Sequence, residues 1–307
     1  PTKGVHVVVP NEEIGNRGAF GLESIDDHRF FFVMERDGLS VIGTTDTDYP
    51  TDKNGVANHD LDLPYCTKDD CDYLFRTVND FFPKVNLTYD DIISTWAGIR
   101  PLVSENGKDE SSVSRKHEII DSEGGMTNIC GGKLTTFRLM AEELFYHIVE
   151  KKGGFNSKIT KSQLKKGYSK QEFQINFDPN DFSEFLKENP QSVDLEILKI
   201  LHQQYGKGIH KILEIIREKP EKGKRFIDDQ PFIPAEIEYI LEHEYAPHLF
   251  DILRRRTEIF MKVNHSEQAE IAKQVGQIMS SYYSWSEEQL TEEIQDYLAH
   301  IEKTIWF

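Results

Sequence analysis

Cysteine is scarce: Cys66, Cys71 and Cys130 are the only three in 307 residues, and none forms a C-x-x-C pair. An odd, unpaired set suits a reducing compartment and argues against a disulfide framework. Positive charge is also short, with 36 Lys and Arg against 53 Asp and Glu and a net charge of −17. Phosphates would be repelled over most of such a surface, so no nucleic-acid partner is expected. No apolar run approaches the roughly 18 residues of a membrane-spanning helix, and that does not exclude a peripheral membrane contact. G-x-G-x-x-G is missing altogether, and the near-match at Gly131-Gly132-Lys133 is not a P-loop. Thr127 stands where the first glycine belongs, and Leu134 where Ser or Thr belongs. There is no internal repeat and no low-complexity tract, and no Ser/His/Asp arrangement or Cys/His metal spacing stands out.

What is present runs from β to α, and the length suffices for two domains. The chain opens "PTKGVHVVVP", without an initiator Met or a signal peptide and in a strand almost at once, which reads as a chain entered in mid-fold. Two β-rich runs, His28–Glu35 and Leu39–Thr45, flank Arg36-Asp37-Gly38, a hairpin signal. Residues 46–64 read as loop. Leu74, Phe75, Val78, Phe81 and Phe82 recur at helical spacing over 67–82, behind a Thr67 N-cap. Residues 92–103 read as a buried strand ending in a tight turn. Strands at Arg115–Ile120 and Met126–Cys130 flank a Gly124-Gly125 turn, and a helix follows over about 134–151, with Phe137, Ala141, Leu144, Phe145 and Ile148 on one face. Residues 153–180 read as linker. Amphipathic helices are expected at Leu195–Tyr205, Ile209–Ile216, Pro234–Tyr245, Leu249–Phe260, Glu267–Ser281 and Glu287–Ile305. A lone strand–Gly–Gly–helix unit is odd, because a doubly wound sheet needs several.

The candidate functional residues gather at strand ends. In "GGKLTTFR" (131–138), two glycines precede a helix start whose free N–H groups and dipole favour an anion, with Lys133 adding a charge. The alternative is a close strand–helix packing turn. Arg100, after "WAGI", pairs with a buried carboxylate or grips an anion through both nitrogens, and Arg115 is ambiguous in the same way. His6 sits in a valine strand, where a satisfied core histidine is the commoner reading. What favours function is convergence of Arg100, Arg115 and Lys133 in one short window of an acidic chain. Asp46, Asp48 and Asp52 have roughly calcium-loop spacing but fail the EF-hand pattern at Pro50, so no metal is expected. Arg254-Arg255-Arg256 reads as a solvated face paired with acids such as Glu242 and Glu244.

Taken in order, "KGVHVVVP", "FFFVMERDGLSVIGTTDTDY", "STWAGIRPLV", "SRKHEIID", "NICGGKLTTFRLMAEE" and "EIEYILEHEYAPHLFDILRRRTEIF" resemble the FAD-dependent, membrane-associated aerobic glycerol-3-phosphate dehydrogenases over nearly the whole chain. The family's N-terminal dinucleotide-binding segment has no counterpart here. The resemblance implies an α+β fold: a mixed, largely antiparallel substrate-binding sheet (1–95), the return segment of a discontinuous Rossmann-like FAD domain (96–152), a linker (153–180) and an all-helical C-terminal domain (181–307). It implies that Arg100, Arg115 and His6 bind glycerol 3-phosphate, with His6 accepting the hydroxyl proton. Gly131, Gly132, Lys133, Leu134 and Thr135 would border the flavin, most of whose contacts belong to the absent segment. It further implies oxidation to dihydroxyacetone phosphate, a quinone acceptor, a cytoplasmic location at the inner face of the membrane, and compatibility with a homodimer. An oxygen-using oxidase and a non-catalytic binding module are the alternatives.

Overall fold

The computed structural model of the chain describes residues 2–49, 64–100, 116–151, 179–188, 193–228 and 230–305. It divides into two compact units. One gathers Pro1–Gly4, Thr45–Pro64 and Ala97–Gln174, and the other Val5–Thr44, Tyr65–Trp96 and Ile175–Phe307.

The strands β1 (Thr2–Pro10), β2 (Ala19–Glu23), β3 (Phe30–Arg36) and β4 (Leu39–Gly43) lie in the order β2-β3-β4-β1, all antiparallel, and β6 (Ser94–Arg100) pairs with β1; the larger unit holds Val5–Pro10 of β1, all of β2, β3 and β4, and Ser94–Trp96 of β6. The β3–β4 hairpin turns at Asp37 (φ 52°) and Gly38 (φ 83°). Two successive positive φ values match the right-handed twist of the strands, which is why Asp-Gly marks such turns. Side chains alternate across the sheet, so Val5, Val7, Val9, Val33 and Ile42 share one fully buried face. Helix α2 (Lys68–Phe81) packs on β2 and buries Cys71, Leu74, Phe75 and Val78. Its start is a capping box: Thr67 Oγ1 accepts from the Asp70 N–H, and Asp70 accepts from the Thr67 N–H at 2.9 Å.

The opposite face of the sheet is open at one edge. Phe30, Phe32 and Met34 alternate outward on β3 and are 69%, 51% and 37% exposed. Phe32 stands opposite Gly43, which stands opposite His6, so the three form one row.

The helical part comprises α4 (Pro179–Glu188), α5 (Leu195–Tyr205), α6 (Ile209–Glu218), α7 (Pro234–His243), α8 (Ile259–Lys262), α9 (Gln268–Tyr283) and α10 (Glu287–Ile305). α5 and α6 share a core of Ile197, Leu201, Ile212 and Ile216. α7, α9 and α10 build another around Ile240, Val275, Met279 and Tyr297. The single helix expected over Leu249–Phe260 is not formed. A π-helical turn occupies Asp251–Arg256 and the chain becomes extended at Thr257. The Ile252 carbonyl accepts from both the Thr257 N–H (2.9 Å) and the Thr257 hydroxyl (2.8 Å), so a residue five positions on takes the place of the regular i+4 partner.

The smaller unit holds β5 (Thr47–Asp48), which pairs with Thr2 and Lys3 of β1, the hairpin of β7 (His117–Asp121) and β8 (Thr127–Gly131), and α3 (Phe137–Lys151). A 3₁₀ turn at Leu134–Thr136 leads into α3. The helix buries none of its residues. Polar ties attach it to the hairpin instead: His117 Nε2 to Glu143 (2.7 Å), His147 Nε2 to Asp121 (2.9 Å) and Lys151 Nζ to Asp121 (2.7 Å). The Lys151 ammonium, with Thr127 and His147, holds the Asp121 carboxyl well below the usual range. The segment expected as linker lies mostly outside the described residues.

Candidate functional site

β6 delivers Arg100 at its last position, in the smaller unit. The residue is half-buried, with Nη1 3.0 Å from Asp46 Oδ1 and Nη2 donating to the Thr45 carbonyl at 3.2 Å. Of the two readings open for Arg100, the structure displays carboxylate pairing. The partner, Asp46, belongs to the aspartate run whose spacing fails the calcium-loop pattern. Among the described residues no group of three or more His, Cys, Asp or Glu could hold a metal ion. Arg115 and Asp52 lie outside the described residues.

β8 delivers the glycines. Gly131 (φ 72°) and Gly132 (φ 87°) both take left-handed backbone, which other residues adopt at a cost of about 1–2 kcal/mol. At Gly132 the room left by the missing side chain is taken: a Cβ would come within 2.5 Å of Met140 Sδ and 3.2 Å of His117 Cβ. That glycine serves close packing of hairpin on helix. Lys133 follows, exposed, and its ammonium makes no ion pair among the described residues. The Thr136 hydroxyl donates to the Lys133 carbonyl at 2.9 Å and fixes the turn. Leu134 is 89% and Phe137 66% exposed, so an apolar surface stands beside the lysine, with Thr135 exposed between them.

His6 belongs to the larger unit. Its ring stacks on Trp96 at 4.9 Å between centroids and 15° between planes. Gly43 leaves it space, since a Cβ there would lie 2.6 Å from His6 Cδ2. Packing on a glycine and an indole fixes the imidazole plane. The sequence reading missed both Trp96 and Asp46 as supports. Trp96 had a readable signal, four residues before Arg100 on the same strand. Asp46 had none, because it stands 54 positions before Arg100 in the chain.

Residues 1–144 match the family of FAD dependent oxidoreductases, and residues 153–290 match the C-terminal domain of alpha-glycerophosphate oxidase. An aerobic glycerol-3-phosphate dehydrogenase of Staphylococcus haemolyticus is 32% identical over 273 residues, covering 87% of this chain and 47% of that protein. One of Staphylococcus epidermidis is 30% identical over 313 residues, covering 96% and 52%. In fold, the chain is similar to the glycerol-3-phosphate dehydrogenase from Bacillus halodurans, whose crystal structure is complexed with FAD. The TM-score is 0.74 at 28% identity, over 99% of this chain and 57% of that one. The chain thus spans about half the length of the curated relatives it matches.

Proposed function

We infer, for a chain that belongs to the FAD-dependent oxidoreductases carrying an alpha-glycerophosphate oxidase C-terminal domain, that it supplies the substrate sheet, flavin-bordering segment and cap of an enzyme oxidising sn-glycerol 3-phosphate to dihydroxyacetone phosphate. The observation that carries this is the order of the two matches, an oxidoreductase stretch followed at once by a domain named for glycerophosphate oxidation. The active protein works in the cytoplasm at the inner face of the membrane, and a homodimer is compatible with this reading.

The residues present fit FAD along one edge. Lys133, with no ion pair among the described residues, and Leu134 and Phe137, largely exposed, offer a cationic and apolar surface at a helix start. Gly131, Gly132, Lys133, Leu134 and Thr135 would hold the group there, Gly132 by shaping the turn. Bound FAD supplies the hydride acceptor for C2 of the substrate, with a quinone as the onward acceptor.

The remaining chemistry is the chain's own. Arg100 and Arg115 bind the phosphate. Asp46 keeps the Arg100 fork oriented until a dianion competes for it. Lys133 concentrates positive charge where negative charge develops. His6, its plane set by Trp96 and Gly43, takes the hydroxyl proton.

Oxygen as acceptor is a second reading, favoured by the oxidase in the name of the C-terminal domain match. Turnover of flavin-loaded protein containing this chain, with a quinone analogue and with oxygen, tests both. Glycerol-3-phosphate-dependent reduction of the quinone supports the first reading. Peroxide formation without quinone reduction favours the second, and no turnover with either acceptor overturns the assignment.

A further inference from the structure

The larger unit contains a pocket of about 360 Å³ lined by Arg36, Arg254, Arg255, Arg256, Trp96 and Phe260 among others. Four arginines lining one cavity are unexpected in a chain of net charge −17. The one carboxylate in the wall is Glu258, and it is already engaged, by Arg36 and by Lys262 Nζ at 2.7 Å. Arg255 Nη1 is paired with Asp251 (2.6 Å), and Arg256 Nε with Glu244 (2.8 Å). To that extent the arginine run is the ion-paired face its sequence suggested.

Arg254 is different. It pairs with no carboxylate among the described residues. Its guanidinium carbon lies 4.2 Å from the Phe260 ring centroid and 5.8 Å from that of Phe250. Its Nη1 is buried without a hydrogen-bond partner. Stacking on phenyl rings offsets part of the cost of a desolvated cation but supplies no acceptor. The π-helical turn at Asp251–Arg256 crowds the three arginines into this region, and such turns recur at functional sites. His300, against the same two phenyl rings, is pushed down to about 4 by burial. It therefore adds no charge near neutral pH.

We propose that this pocket is a second anion site, built for a small phosphate-bearing organic molecule, with Arg254 and Arg255 neutralising the phosphate and Trp96 and Phe260 covering an apolar part. Three of the wall's arginines already have carboxylate partners, so Arg254 brings the positive charge that an incoming anion would answer. None of its arginines belongs to the set assigned to glycerol 3-phosphate. The site does not depend on the flavin reading. Trp96 also stacks on His6, so an occupant lies one side chain away from the assigned proton acceptor.

Calorimetric titration of the protein with inorganic phosphate and with phenyl phosphate, at fixed ionic strength, tests the proposal. The expected result is saturable binding, tighter for phenyl phosphate. It should weaken about tenfold or more in Arg254→Met and persist in Arg100→Ala. Arg255→Gln, at an exposed position, should weaken binding less and leave the thermal melt unchanged, so it decides the matter if Arg254→Met fails to fold. The proposal is overturned by absence of saturable binding in the wild type, by loss in Arg100→Ala alone, or by unchanged affinity in folded Arg254→Met or Arg255→Gln.

Discussion

Arg100 and Asp46 are joined at 3.0 Å by charges contributed from the end of β6 and the start of β5's approach, with the Thr45 carbonyl taking the second arm of the same fork. The guanidinium is therefore oriented before any substrate arrives. A phosphate must compete with Asp46 for it, and that competition can be measured.

Arg100→Ala should raise KM for glycerol 3-phosphate by about tenfold or more, the scale of lost charge-assisted hydrogen bonds. Arg100→Lys should not restore it, because an ammonium lacks the planar fork. Steady-state kinetics of flavin-loaded protein with a quinone analogue is the check. A lysine variant with wild-type KM would assign Arg100 a purely structural role.

Thr67→Ala removes the acceptor for the Asp70 N–H at the start of α2. The expected loss is about 1 kcal/mol of stability, seen as a lower urea midpoint with an unchanged slope.

Glu236 is buried in α7 and accepts a hydrogen bond from the Tyr205 hydroxyl at 2.8 Å. Burial raises its carboxyl to about 7. In the folded chain it holds its proton where the unfolded chain, titrating near the ordinary carboxylate value of 4.5, has lost it. Stability contributed by this group is therefore present below pH 4.5, falls as pH rises toward 7, and is constant above. Glu236→Gln should flatten the slope of urea-measured stability across that window. The slope is the diagnostic, since the amide also changes the absolute value.

Much of this was readable from local rules. Asp37-Gly38 marks its own hairpin, Thr67 with Asp70 marks the start of α2, and apolar spacing marks α5 and α10 at Leu195–Tyr205 and Glu287–Ile305. Non-local effects were not. The π-helical turn forms because Thr257 captures the Ile252 carbonyl, and a threonine in an apolar helical pattern does not announce that. α3 has the apolar spacing of a packed helix, yet Phe137, Leu139 and Phe145 are 66%, 51% and 40% exposed. His6 and Lys133 could each be named from the chain, and Trp96 carried a signal four residues before Arg100, but Asp46's pairing with Arg100 could not be read from it. Gly132 could be named but not its reason, which is Met140.

Gly132→Ala should destabilise the hairpin–helix junction. Its φ of 87° is strained for alanine, and Met140 must also move. Faster amide exchange across Thr127–Gly131 and the first turn of α3, with α9 unchanged, is the expected signature. Met140→Ala should relieve only the steric share.

Anaerobic addition of glycerol 3-phosphate to flavin-loaded protein containing this chain tests the central claim most directly. The account predicts rapid bleaching of the oxidised flavin absorbance, slowed when His6 is replaced by Ala and lost at low substrate in Arg100→Ala. Flavin that stays fully oxidised in the wild-type protein at saturating glycerol 3-phosphate would contradict it.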